Sequence, residues 1–141
     1  MTRFPDWESR LHDFLVSREH TPFRYGVNDC CLFAADAVCV ITGVDIAAEF
    51  RGQYKSQRGA LTAIKRLTGG TTAADAVAYA ARDLEECAPA LARRGDLVLV
   101  EEGELIAGIV HLSGTDVVVA GRDGLLRKPF TDIKRAWHAG S

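Results

Sequence analysis

The sequence predicts an α+β fold, with helices first and an antiparallel meander after. Two observations carry this. Between about residues 6 and 81 apolar residues recur at helical spacing, and between about 96 and 138 they gather into short runs rich in Val, Ile and Leu, separated by turn residues. That segregation places helices against an antiparallel sheet or small barrel rather than around a parallel sheet. At 141 residues the chain is expected to form a single domain, residues 1–141.

The elements follow in order. Asp6 can cap a first helix, in which Trp7, Leu11, Phe14 and Leu15 share a face. This helix is expected to end near Arg18, before the loop signals Pro22 and Gly26. A second helix is capped by Asn28 or Asp29. Cys30, Phe33, Ala34, Ala37, Val38 and Ile41 form one continuous stripe along it, and Gly43 stops it. A polar segment leads to a short helix, ALTAIKRL, closed by Gly69-Gly70. A further helix over TTAADAVAYAA is capped by Thr71 or Thr72. After Pro89 come five extended runs: DLVLVEE, LIAGIVHL, DVVVAG, GLLRKPF and IKRAWHA. Glu102-Gly103, Ser113-Gly114 and Arg122-Asp123-Gly124 read as hairpin turns between them.

Composition narrows the function classes. The net charge of −2 offers no broad basic field, so a nucleic-acid partner is not expected. No apolar run approaches the length of a membrane span, and MTRFPDWESRLHDF lacks the apolar core of a signal peptide. Synthesis in a reducing cytoplasm, with the four cysteines as free thiols, is the expectation. No cofactor or metal is expected either, because C-C-x7-C with one remote Cys is not a zinc-ligand spacing. Cys87 reads as a loop residue without an evident partner, and Asp96 as a residue serving the turn before its strand.

The stretch RYGVNDCCLFAADAV, residues 24–38, carries the one chemical signal. A cysteine in the first turn of a helix meets unpaired backbone N–H groups and the positive end of the helix dipole, which favour a thiolate. The same donors can hold an oxyanion. Nucleophilic catalysis also needs a base, usually His, and a group that orients it. Against that, Cys30 lies on the same apolar stripe as Phe33 and Ile41, where a small buried residue needs no catalytic reason.

Tyr25-Gly26-Val27-Asn28-Asp29-Cys30-Cys31-Leu32 resembles the Y-G-G-x-D-C-S-G-L stretch of NlpC-type cell-wall cysteine peptidases, a papain-like family. Ala92-Arg93-Arg94-Gly95-Asp96-Leu97-Val98-Leu99 is similar to that family's P-G-D-L-V-F-F strand, and Leu105-Ile106-Ala107-Gly108-Ile109-Val110 falls where the family carries H-V-G-I-Y. EFRGQYKS after the cysteine helix and RAWHA at the end resemble a phage and prophage branch whose genes lie among those for tail-tip proteins. The resemblance implies a papain-like, NlpC-type domain, a peptidoglycan stem peptide as substrate class, Cys30 as nucleophile and Asp29 as the acidic residue before it. Phe23 and Tyr25, with Arg51 and Tyr54 from FRGQYK, are expected to line a substrate groove or a docking surface.

The departures from the pattern shape the functional expectation. Where the family has its catalytic His, this chain has Ile106, which cannot take a proton. Cys31 replaces a serine, Val27 a glycine, and Phe23 a tyrosine. His111 lies five residues beyond Ile106, an odd offset that places it on the opposite face of a strand. His138 or His20 is then the remaining choice for a relocated base; His12, like His20, precedes the cysteine. Two readings follow. The first is a phage tail-tip or baseplate component made in the bacterial host cytoplasm and carried in the virion tail tip, a pseudoenzyme whose partners are other tail proteins. The second is an active cysteine peptidase or amidase that cleaves peptidoglycan stem peptides as phage DNA passes into the cell.

Overall fold

A computed structural model describes residues 1–141. Four helices precede a six-stranded antiparallel sheet: α1 (Trp7–Arg18), α2 (Cys30–Thr42), α3 (Gln57–Thr68) and α4 (Ala73–Ala80), then β1 (Glu86–Cys87), β2 (Leu97–Glu102), β3 (Glu104–Val110), β4 (Asp116–Gly121), β5 (Gly124–Pro129) and β6 (Ile133–Trp137). The helix-then-strand division is therefore as the periodicity predicts. No helix is long and apolar enough to cross a membrane.

Local chemistry sets the helix ends. The Asp29 carboxylate accepts from the Leu32 N–H to cap α2, and Gly43 in left-handed conformation closes it. Ser56 caps α3, and Thr72 with Asp75 forms a reciprocal capping box on α4. Asp6 stands at the cap position of α1 without capping it; its carboxylate accepts from Arg10 instead.

The strand order is β1-β6-β2-β3-β4-β5. Strands β2 to β5 form the predicted meander, and β6 crosses back to pair with β2. The sheet does not close into a barrel. Its edges are β5 and the two-residue β1, and a strand that short has too few backbone groups to receive a partner along the length of β5.

Both faces are buried in β2, in β4 and in the second half of β3, which is why these runs read as continuous Val, Ile and Leu rather than alternating, whereas β5 at the edge is largely exposed. On one face, Leu97, Leu99, Ala107, Ile109 and Trp137 pack against α1 and the Phe33–Ile41 stripe of α2. On the other, Val98, Val100, Val110, Val117, Val119 and Ile133 pack on one another with Phe130 of a short 3-10 turn, and no α-helix contributes to that cluster. Residues so placed stay dry only if the sheet curves around them. Helix α2 is buried beyond its predicted stripe: Leu32 and Ala35 form a second face against Ala47. It is the central element of the helical layer, and Cys30 lies at its N-terminal end.

Candidate functional site

The loop before α2 is built around one carboxylate. Asp29 is 4% exposed, and its Oδ1 accepts from Leu32 N (2.9 Å) while Oδ2 accepts from Gly26 N (3.0 Å) and from the Tyr54 hydroxyl (2.6 Å). Gly26 has φ +81°, and a Cβ there would collide with the Tyr54 carbonyl oxygen, so only glycine lets the loop pass this close. With three donors on its two oxygens, Asp29 acts as a clamp between the loop, α2 and the segment before α3. Burial and then the hydrogen bond to Asp29 hold the Tyr54 phenol well above its ordinary pKa, so Tyr54 donates and does not serve as a base.

Cys30 opens the helix with its Sγ 3.9 Å from that of Cys31. The two thiols behave as a coupled pair. The hydrogen bond from Cys31 lowers the Cys30 pKa, opposed by burial and aided by the Ala107 N–H of β3. The same contact with Cys30, followed by burial, drives Cys31 well up. Cys30 is the thiol that ionises, and Cys31 holds its proton and donates it. This is a small anion cradle of one S–H and backbone N–H groups.

No histidine joins the cradle. Leu105, Ala107 and Ile109 are the β3 residues on the face of α2, whereas Ile106 packs on the far side with Val98 and Val100. The motif alignment, which sets Ile106 opposite the cysteine, thus differs by one residue from the facing that the strand adopts. The substance is unchanged, since no residue of β3 is a histidine.

The four histidines lie elsewhere. His20 is 90% exposed, with Glu19 at 4.0 Å as its partner. His12 and His111 line a shallow pocket between α1 and the sheet, where burial and Arg127 push the His111 pKa down. His138 is bonded through Nδ1 to Asp96 (2.8 Å). Its neighbour Gly140 packs on Thr42, and Gly95 on Ile41, so this group sits at the C-terminal end of α2. Helix α2 rises about 16–18 Å from Cys30 to Ile41 and Thr42, where this group lies. Neither His138 nor His20, the two histidines that the sequence left open as a relocated base, is hydrogen-bonded to Cys30.

The remaining predicted residues divide. Tyr25, Tyr54, Asp29 and Cys31 border an apolar cavity of about 90 Å³ that α2, α3 and α4 enclose; Cys30 does not line it. That is below the roughly 150 Å³ that holds a benzene in a protein core, far short of a peptide. Phe23 meets Tyr25 edge to face at 4.9 Å and lies outside the cavity. Arg51 is engaged by Asp45 (2.7 Å) and Asp36 (2.6 Å), and Asp36 also takes Arg18 (2.9 Å). This network ties α1, α2 and the following loop together, so Arg51 is a strut rather than a groove residue.

Sequence reasoning missed the hub role of Asp96. It is fully buried, with Oδ1 accepting from Arg3 Nη2 (2.8 Å) and Ala139 N (2.9 Å), and Oδ2 from Arg93 N (2.7 Å) and, across a 2.8 Å contact, meeting His138. Its partners are up to 93 positions away in sequence, a distance at which spacing carries no signal. Cys87, expected in a loop without a partner, is in β1 beside this hub.

No curated protein matches this chain. A family model described as a domain of unknown function, DUF6950, matches residues 2–139, and the chain belongs to that family.

Proposed function

We propose that this chain is a phage tail-tip or baseplate component with a papain-like, NlpC-type fold and a degenerate catalytic site, serving in structure or assembly. The observation that carries the reading is the absence of any histidine from the surroundings of Cys30, although the thiol is otherwise well placed. A helix-borne cysteine packed on an antiparallel sheet supports the fold assignment. The tail-tip assignment rests on the EFRGQYKS and RAWHA resemblances. A nucleophile without its base loses on the order of 10⁶ in turnover, because such residues act as a unit. A fold can persist as a packing module after that loss.

One observation favours the second reading, an active peptidase or amidase acting on stem peptides: the Cys30 pKa is lowered. The lowering comes from neutral S–H and N–H donors, which stabilise a thiolate but cannot protonate a leaving amine.

The two readings separate in one experiment. The purified chain and its Cys30→Ser variant are incubated with peptidoglycan sacculi and soluble stem peptides, and new amino groups are quantified. The proposal expects equal, background release from both. Release that depends on Cys30 would replace it with the peptidase reading. Mass spectrometry of tail particles recovered after induction of the encoding host tests the assembly role: the chain should be found in them in fixed proportion to the tail proteins.

A further inference from the structure

We infer that Cys87, Asp96 and His138 form a binding site for a zinc-class divalent cation at the end of the sheet remote from Cys30. Strand register brings them together. Cys87 pairs with Ala136 across β1 and β6, and Val98 pairs with Ala136 across β2 and β6. Asp96 lies two residues before Val98, and His138 two after Ala136, so all three side chains project to the same face. One thiol sulfur, one carboxylate oxygen and one imidazole nitrogen lie within 4.8 Å of one another.

Three features make this a built site. Asp96 is fully buried and fixed by Arg3 and the Ala139 N–H on Oδ1, with Oδ2 accepting from the Arg93 N–H and turned to His138. The His138 backbone N–H is held by the Glu85 carbonyl (2.9 Å). His138 also borders an open pocket of about 350 Å³, together with Asp83, Glu85 and Arg93, which gives an ion and its water a way in.

The donor set selects the ion. Sulfur and nitrogen donors suit zinc and its neighbours in the first transition row, and are poor ligands for Mg²⁺ or Ca²⁺. Around tetrahedral zinc, donor atoms stand about 3.3–3.8 Å apart, so on binding the widest separation, up to 4.8 Å, closes by about 1 Å, while the 2.8 Å contact between His138 and Asp96 opens by about 0.5 Å as the ion takes the place of the proton between them. On binding, the Cys87 thiol loses its proton to solvent, the ligating imidazole nitrogen offers its lone pair, and the fourth position is left to water. Thiolate and carboxylate together neutralise a dication, so Arg3 and Arg93 face a neutral centre. A Cys87–His138–Asp96 proton relay fits less well, because His138 is bonded to Asp96 but no hydrogen bond joins Cys87 to His138.

The test is titration of the chain with Co²⁺, followed by absorbance. One ion per chain should bind with tetrahedral visible bands and a near-ultraviolet thiolate charge-transfer band. That band should be lost in Cys87→Ser, and binding weakened at least about tenfold in His138→Gln, with both kept in the Cys30→Ser/Cys31→Ser double variant. In the unmodified chain, Zn²⁺ should slow alkylation of Cys87 at least about tenfold, read by fragment mass spectrometry; this holds the inference to account even if Cys87→Ser folds poorly. Absence of Co²⁺ binding would overturn it. So would a charge-transfer band that survives Cys87→Ser and disappears in the double variant, since the ion would then sit on the adjacent thiols.

Discussion

The two ends of α2 present the same ingredients in opposite combinations. At its N-terminus a thiol of lowered pKa rests against N–H and S–H donors, and Asp29 beside it is spent on capping and clamping. At its C-terminus a histidine and a buried carboxylate are joined, and the thiol near them, Cys87, is pushed up by burial and by the Asp96 charge. One end has the nucleophile without a base, and the other has the base and its orienting group without an activated nucleophile. The lesson is that a protein can contain every member of a catalytic set and still lack the set, because about 16–18 Å of helix separates the parts.

The largest loss of stability is expected at Asp96. Asp96→Ala leaves the Arg3 charge and two backbone N–H groups without their acceptor, which should cost about 3–5 kcal/mol, measured as a lower denaturation midpoint in urea. The same change at the other end, Asp29→Ala, removes a buried clamp on the loop and a helix cap but no ion pair. It should cost about 2–4 kcal/mol. If Asp29→Ala proved the costlier, the ranking of the two hubs would be wrong.

Tyr54→Phe sharpens the reading of the N-terminal end. It deletes one hydrogen bond to a charged group, worth about 1.5–3 kcal/mol before the aromatic packing that is retained, and should lower the melting temperature less than Asp29→Ala. Peptide-bond chemistry should be unaffected, since Tyr54 holds Asp29 rather than a substrate.

The smallest effect is a pH dependence. Cys31 has a raised pKa in the folded state, so above the ordinary thiol value of about 8.5 the unfolded chain has lost a proton that the fold keeps, and stability falls as pH rises. Cys30, with its pKa lowered, works the other way: its contribution is complete above about 8.5 and is lost as pH falls through the lowered value. Cys31→Ser should therefore lose less stability between about pH 8.5 and 10 than the unmodified chain, by up to about 1–2 kcal/mol, in parallel thermal melts.

What was legible in the sequence was local. The stripe of α2, the Asp29 cap, the Gly43 stop and the hairpin turns follow from residues a few positions apart, where periodicity and capping chemistry act. The cysteine at the head of α2 was legible for the same reason. Three things were not. The second buried face of α2 depends on Ala47 folding back over Leu32 and Ala35. The facing of Ile106 depends on which side of β3 the helix chose, and strand alternation gives two faces without saying which meets α2. The Asp96 hub joins residues 3, 93, 96, 138 and 139, and only the fold makes them neighbours.

The central claim, that no histidine serves Cys30, is tested most directly by the pH dependence of Cys30 alkylation, resolved from Cys31 by fragment mass spectrometry. It is measured in the unmodified chain and in His12→Gln, His20→Gln, His111→Gln and His138→Gln. The account predicts a Cys30 midpoint below the ordinary value of about 8.5, lower than that of Cys31 and the same in all five proteins. A histidine substitution that raises the Cys30 midpoint by about a unit would identify a coupled base and contradict the account.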